Sequence, residues 1–214
     1  MEKILDRIVK ENDIKDIEEP NWYILDRNSQ YSYVDYKNKK MEDAIKELIT
    51  RQFVEAACFY CYKTSFWKKY DFKFNVGRLH EDYGLIPLVL YHADTISSMN
   101  YVGYHYIQRN GSITSSNNYD RVIKKSFDTY YQYCNILNIL NDKPNDIKKA
   151  AILTYLTECL IIKGKWLKGE EYKRYYSMLK KDKVYKNIAT YNIKKKIKKI
   201  VSFIDYKLYL ILFK

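Results

Sequence analysis

Residue 118 divides the chain into two kinds of sequence, and that division constrains the fold more than any overall composition does. From Asn118 onward apolar residues recur only at helical spacing, whereas before it short apolar runs alternate with helical stretches and turn-forming residues. A chain of 214 residues with 47% hydrophobic content can bury a real core. The pattern predicts an α+β, predominantly helical fold, in which a small mixed sheet is followed by a C-terminal helical appendage. Residues 1–116 form one expected unit and residues 117–214 the other.

The first unit reads as a helix over residues 2–11 and a break at Pro20 and Asn21. Two extended runs follow at 22–25 and 31–36, expected as a hairpin or edge pair. A helix is expected over 41–50, a buried strand over 54–62, a helix over 82–93 and extended segments over 95–101 and 104–108. In the second unit, one helix carries Val122, Ile123, Phe127, Tyr130, Tyr131 and Cys134 as its face and ends near Asn141 and Pro144. The next carries Ile152, Leu153, Leu156 and Leu160, after which Gly164 and Gly169 bracket Trp166 and two basic helices finish the chain.

The net charge of +12 is unevenly placed. Residues 163–214 hold 16 Lys or Arg against 4 Asp or Glu, while residues 1–162 hold 22 of each, so the whole excess lies in the tail. There Ile193, Ile197, Ile200, Val201, Ile204, Leu208, Ile211 and Leu212 form a helical stripe, with Lys194, Lys195, Lys196, Lys198 and Lys199 crowding its start. Two readings follow. The tail, residues 193–213, lies in the interface of an anionic membrane, or its stripe packs on the preceding helices and the lysines are solvated. The apolar run over 200–213 is short of the ~20 residues a span needs, and it contains Asp205 and Lys207. The charged, amphipathic opening segment does not read as a signal peptide, so a cytoplasmic location is expected, with peripheral attachment to the inner face of the membrane if the tail is interfacial. For nucleic acid the charge is the only argument, since no recognition helix, zinc finger or RNA-binding signature accompanies it.

Cys58 and Cys61 make a C-x-x-C with no second pair, inside an apolar and aromatic run, so they are expected to pack rather than to bind metal or do redox work. His92 and His105 are expected to be structural. The 24 tyrosines accompany an abundance of Lys, Ile and Asn, which codon bias explains as readily as a stacking role does.

Chemistry concentrates in residues 71–83, where Glu81 and Asp82 stand at a loop-to-helix junction behind Gly77 and beside His80. In the first turn of a helix, unpaired N–H groups would keep such carboxylates ionised, and an ionised carboxylate at a cleft mouth can take a proton from a hydroxyl nucleophile. The bland alternative is that the pair simply caps the helix.

The order of motifs adds to this. Tyr62-Lys63-Thr64-Ser65-Phe66, then Phe74 through Asp82, then an apolar helix, then Ala93-Asp94-Thr95-Ile96, then Tyr104 through Ile113 resembles the second half of family 2 glycosyltransferases, over roughly residues 1–114. That resemblance implies a partial GT-A-like sheet. It makes Asp82 the catalytic base toward an acceptor sugar hydroxyl, with Glu81 beside it, His80 lining the site, and Tyr106 and Arg109 near the acceptor. The family's nucleotide-binding half has no counterpart, because the sequence holds no Asp-x-Asp, no G-x-x-x-x-G-K and no G-x-G-x-x-G. No cofactor site is therefore expected in this chain, and magnesium or manganese with a nucleotide sugar is expected only in a complete enzyme. The resemblance implies an inverting transfer to a saccharide acceptor in cell-surface polysaccharide synthesis, with a donor-half partner chain or self-association completing the enzyme. The alternatives are a non-catalytic membrane-surface or assembly module, or the remnant of a truncated gene.

Overall fold

The computed structural model describes residues 22–25, 39–50, 56–99, 118–190 and 192–213. Among them the fold is α+β and predominantly helical. A four-stranded sheet is built from β1 (Trp22–Leu25), β2 (Lys39–Lys40), β3 (Tyr60–Tyr62) and β4 (Thr95–Met99), in the order β2-β4-β1-β3. β1 runs parallel to β4, with Tyr23 opposite Ser97, and antiparallel to β3, with Tyr23 opposite Cys61. The expected hairpin or edge partner at 31–36 lies outside the described residues. The expected helix at 2–11 and the extended segment at 104–108 also lie outside them.

Helix α1 (Met41–Thr50) carries Glu42 and Asp43 in its first turn, where the helix dipole favours acids, and turns Met41, Ala44 and Ile45 into the core. After β3 come α2 (Thr64–Lys69) and α3 (Ile86–His92). The C-terminal region consists of α4 (Tyr119–Asn141), α5 (Ile147–Lys163), α6 (Gly169–Lys181), α7 (Ile193–Ile204) and α8 (Tyr206–Leu212). Four of these open on a side-chain cap. Asn118 accepts from the Asp120 and Arg121 amides, Asp146 from Lys149, Asn192 from Lys195 and Asp205 from Leu208.

Helix α5 is the hub. It buries Ala151, Ile152, Leu153, Leu156, Leu160 and Ile161, and the core formed around it runs without interruption from Met41 in α1 to Leu210 in α8. Its last carbonyls, which no helical N–H can reach, are taken by side chains from other elements. Tyr175 Oη donates to Leu160 O at 2.8 Å, Tyr176 Oη to Ile161 O at 2.7 Å, and Ser126 Oγ to Lys163 O at 3.1 Å. Further down, Tyr83 Oη donates to Leu156 O at 2.9 Å. Buried tyrosines here satisfy backbone carbonyls, a structural use that neither codon bias nor stacking anticipates.

One sequence expectation is corrected, one is met in part, and one choice between two readings is narrowed. Residues 57–59 form a single tight turn, leaving only Tyr60–Tyr62 as strand, with Cys58 exposed and only Cys61 part-buried. The α4 face is wider than expected: Val122, Ile123, Phe127, Tyr130 and Cys134 do pack against the core, Tyr131 is half exposed, and the most deeply buried side chains are Ser126, Asp128, Thr129, Gln132, Tyr133, Ile136 and Leu140. Of the two readings of the tail, the one in which the stripe packs on the preceding helices holds for Val201 but not for the α7 isoleucines, which are exposed. No helix among the described residues is long and apolar enough to cross a membrane.

Candidate functional site

The carboxylate loop is held by two polar side chains of α4 spaced four residues apart, a separation that puts both on one helix face. Beyond α2 the chain turns at Asp71 and again at Gly77, both at positive φ (49° and 75°), the second in a region that glycine enters without strain. It then runs along α4. Asp128, 3% exposed, accepts from the Leu79 amide at 2.9 Å, from Arg78 Nη1 at 2.9 Å and from Lys124 Nζ at 2.6 Å. One turn further on, the fully buried Gln132 donates to Leu79 O at 2.9 Å and to His80 O at 3.0 Å, and accepts from Asn75 Nδ2 at 3.4 Å. Buried polar groups that find their full complement of partners specify one conformation. Here that conformation is of the loop.

From His80, at φ 57°, a chain of tight turns carries the backbone into α3. Tyr83 N donates to His80 O, Gly84 N to Glu81 O, and both Leu85 N and Ile86 N to Asp82 O. Helix α3 therefore starts at Ile86 with Leu85 as its cap, not at Asp82, and carries no acid in its first turn. Pro87 suits that start, because its missing N–H is one the first turn would leave unbonded anyway. Glu81 and Asp82 stand one turn upstream of that start, so the argument from a first helical turn falls away.

Gly84 is the point of closest approach to the clamp. A Cβ there would overlap Gln132 Oε1 and stand 2.9 Å from Asn75 Nδ2. Since Gln132 is fully buried and bonded at both ends, it has nowhere to retreat. The variant Gly84→Ala is expected to lose about 2 kcal/mol of stability. Urea denaturation measures this, and an unchanged midpoint would show that the loop is not pressed against α4.

The predicted site residues fall into different surroundings. Asp82 is half-buried on the β3 side, where its charge, after burial, raises the pKa of the Tyr62 phenol. Tyr62 Oη is buried and makes no hydrogen bond among the described residues. Its ring lies 5.1 Å from that of Trp67, which in turn meets Phe72 at 5.5 Å and the partly exposed Phe74 at 6.3 Å. Asp82 thus neighbours a spare phenol and an aromatic wall. Glu81 is exposed. His80 faces α5, with Nε2 3.5 Å from Lys163 Nζ, and burial, then Lys163 and Lys125, lower its pKa to about 4. A neutral imidazole follows over the ordinary pH range. Tyr106 and Arg109 lie outside the described residues, as does His105. His92 stacks on Tyr70 at 4.2 Å, in keeping with a packing role.

Sequence reasoning missed Asp128, Gln132, Asn75 and the Tyr62 phenol. One signal was present, since Asp128 and Gln132 interrupt the α4 pattern at a spacing that shares a face. Among the described residues no group of three His, Cys, Asp or Glu side chains comes together as a metal site. Among known proteins, no family model, no curated protein and no solved structure matches the chain.

Proposed function

We propose that the chain supplies the acceptor side of a family 2, GT-A-type glycosyltransferase, which moves a sugar from a nucleotide-sugar donor to a saccharide acceptor in cell-surface polysaccharide synthesis, with inversion. Asp82 is the base that takes the acceptor hydroxyl proton, with Glu81 beside it. The observation that carries this reading is the clamp. Two buried side chains of α4 fix the loop that presents Asp82 next to a buried phenol that makes no hydrogen bond among the described residues, and to an aromatic wall. An acceptor sugar can lay its C–H face on Trp67 and Phe74 while Tyr62 and Asp82 address its hydroxyls. His80, turned toward Lys163, contributes through the loop backbone. Tyr106 and Arg109 complete the acceptor contacts in this reading. The donor diphosphate and its magnesium or manganese belong to a nucleotide-binding part supplied by another segment or chain, since this sequence lacks Asp-x-Asp. Free thiols, Cys58 among them exposed, suit a cytoplasmic setting.

Calorimetric titration tests the division of labour. Mono- and disaccharides are expected to bind saturably and to perturb tryptophan fluorescence, with Trp67→Ala removing the effect. UDP- and GDP-sugars with manganese are expected to give no metal-dependent heat. Metal-dependent donor binding would show a complete enzyme, and the absence of any saccharide binding would remove the acceptor site.

A further inference from the structure

Helix α7 is rotated opposite to what its hydrophobicity alone dictates. Its inward face carries Lys195, Lys198 and Ser202 beside Val201, and its outward face carries the isoleucines. The cause is a single acid on the hub helix. Glu158, with a side chain only 14% exposed, pairs with Lys195 Nζ at 2.6 Å and Lys198 Nζ at 3.1 Å. A buried carboxylate needs such partners, and two lysines one turn apart supply them only when that side of α7 faces α5. Lys199 adds a bond to Lys186 O at 2.8 Å.

The result is an exposed apolar ridge. Ile193, Ile197, Ile200, Phe203 and Ile204 are 78%, 47%, 50%, 60% and 60% exposed. With 3.6 residues per turn they occupy an arc of about 120°. Beyond the Asp205 cap, α8 likewise exposes Leu208, Ile211 and Leu212, while its other side buries Tyr206, Tyr209 and Leu210. Large branched side chains gathered on one side of two successive helices are not the scattered apolar exposure of an ordinary surface. Lys194, Lys196 and Lys207 are exposed along the same two helices, in the region that carries all of the net charge.

We propose that α7 and α8 form an interfacial docking surface that seats the protein on an anionic lipid bilayer. The ridge enters the boundary between headgroups and acyl chains, while the exposed lysines meet lipid phosphates. Charge complementarity selects this occupant. A second copy docked on the ridge about a two-fold axis would bring two strongly basic surfaces together. A nucleic acid would engage the lysines and leave the isoleucines in water. The inference stands apart from sugar transfer, and its test reads no enzymatic activity.

Flotation with vesicles of phosphatidylglycerol and phosphatidylcholine, and of phosphatidylcholine alone, measures it. The full chain is expected to float with the anionic vesicles and only weakly with the neutral ones. The Ile200→Glu/Ile204→Glu double variant is expected to lose more than about tenfold in partition. Its thermal unfolding should be unchanged, because both side chains are exposed. Lys194→Gln and Lys196→Gln are each expected to lose about fivefold, on anionic vesicles only. Failure to float with anionic vesicles, or unaltered flotation of the isoleucine variant, would overturn the proposal. So would a concentration-dependent dimer that the isoleucine substitutions abolish, or tight duplex DNA binding that they leave intact.

Discussion

Replacing Asp128 by alanine is expected to lower the free energy of unfolding by about 3 kcal/mol, the largest loss for any single side chain of the carboxylate loop and its clamp. The ion pairs are the smaller part of this. Lys124 and Arg78 are 49% and 36% exposed in their side chains, so solvent screens both. The larger part is the bond from the Leu79 amide, because its removal leaves a part-buried N–H without an acceptor and frees the loop from α4. Burial raises the Asp128 pKa, but the Leu79 N–H, then Lys124 and Arg78, outweigh it and leave the carboxyl below its ordinary value. A depressed folded-state pKa contributes stability that is complete above the unfolded-state value and disappears as pH falls through the folded-state one. The gap between wild type and Asp128→Ala should therefore be full near neutrality and close in acid, below about pH 4. Urea denaturation as a function of pH measures both, and a loss under about 1 kcal/mol at neutral pH would mean that the loop holds itself. Hydrogen exchange at the Leu79 amide should quicken in the variant.

What the sequence made legible was local. The bounds of α1 and the ends of α4 and α5 follow from caps and breakers a few residues apart, such as Asn118, Asp146 and Pro144. The polar part of the α4 face, and which of the two readings of the α7 stripe holds, were not legible, for one shared reason. In each, a buried polar pairing across the fold overrides hydrophobic periodicity: Gln132 meets a carbonyl 52 positions away, and Lys195 meets a carboxylate 37 positions away. A periodicity argument ranks such residues as solvent-facing and so leaves them out of the packed face. The start of α3 was misplaced on similar grounds. Glu81 and Asp82 look like first-turn acids, but His80 at positive φ and the press of Gly84 against Gln132 hold residues 80–85 in separate tight turns. Of the candidate site, motif order singled out the loop and Asp82. The groups that fix the loop, and the phenol beside the carboxylate, depend on contacts that no stretch of sequence displays.

Asp82→Asn is expected to lower sugar transfer by about a thousandfold once the donor-binding part is supplied, while leaving the fold and saccharide affinity unchanged. The fold should survive because asparagine has nearly the shape of aspartate and leaves in place the backbone carbonyl that accepts from Leu85 and Ile86. Affinity should survive because an amide of the same shape still bonds to hydroxyls; what it cannot do is take a proton. Glu81→Gln, at an exposed position, should cost less than about tenfold, and this contrast decides which acid is the base. Tyr62 offers a readout that needs no donor. Burial first, and then the Asp82 charge, hold its phenol proton on, so Asp82→Asn should move the phenol pKa down toward the ordinary tyrosine range, as followed by NMR of ring-labelled protein. A thousandfold loss with no movement at Tyr62 would keep Asp82 as base but separate it from the phenol. Retained turnover would remove Asp82 from the chemistry, and the clamp would then be holding the loop for some other purpose.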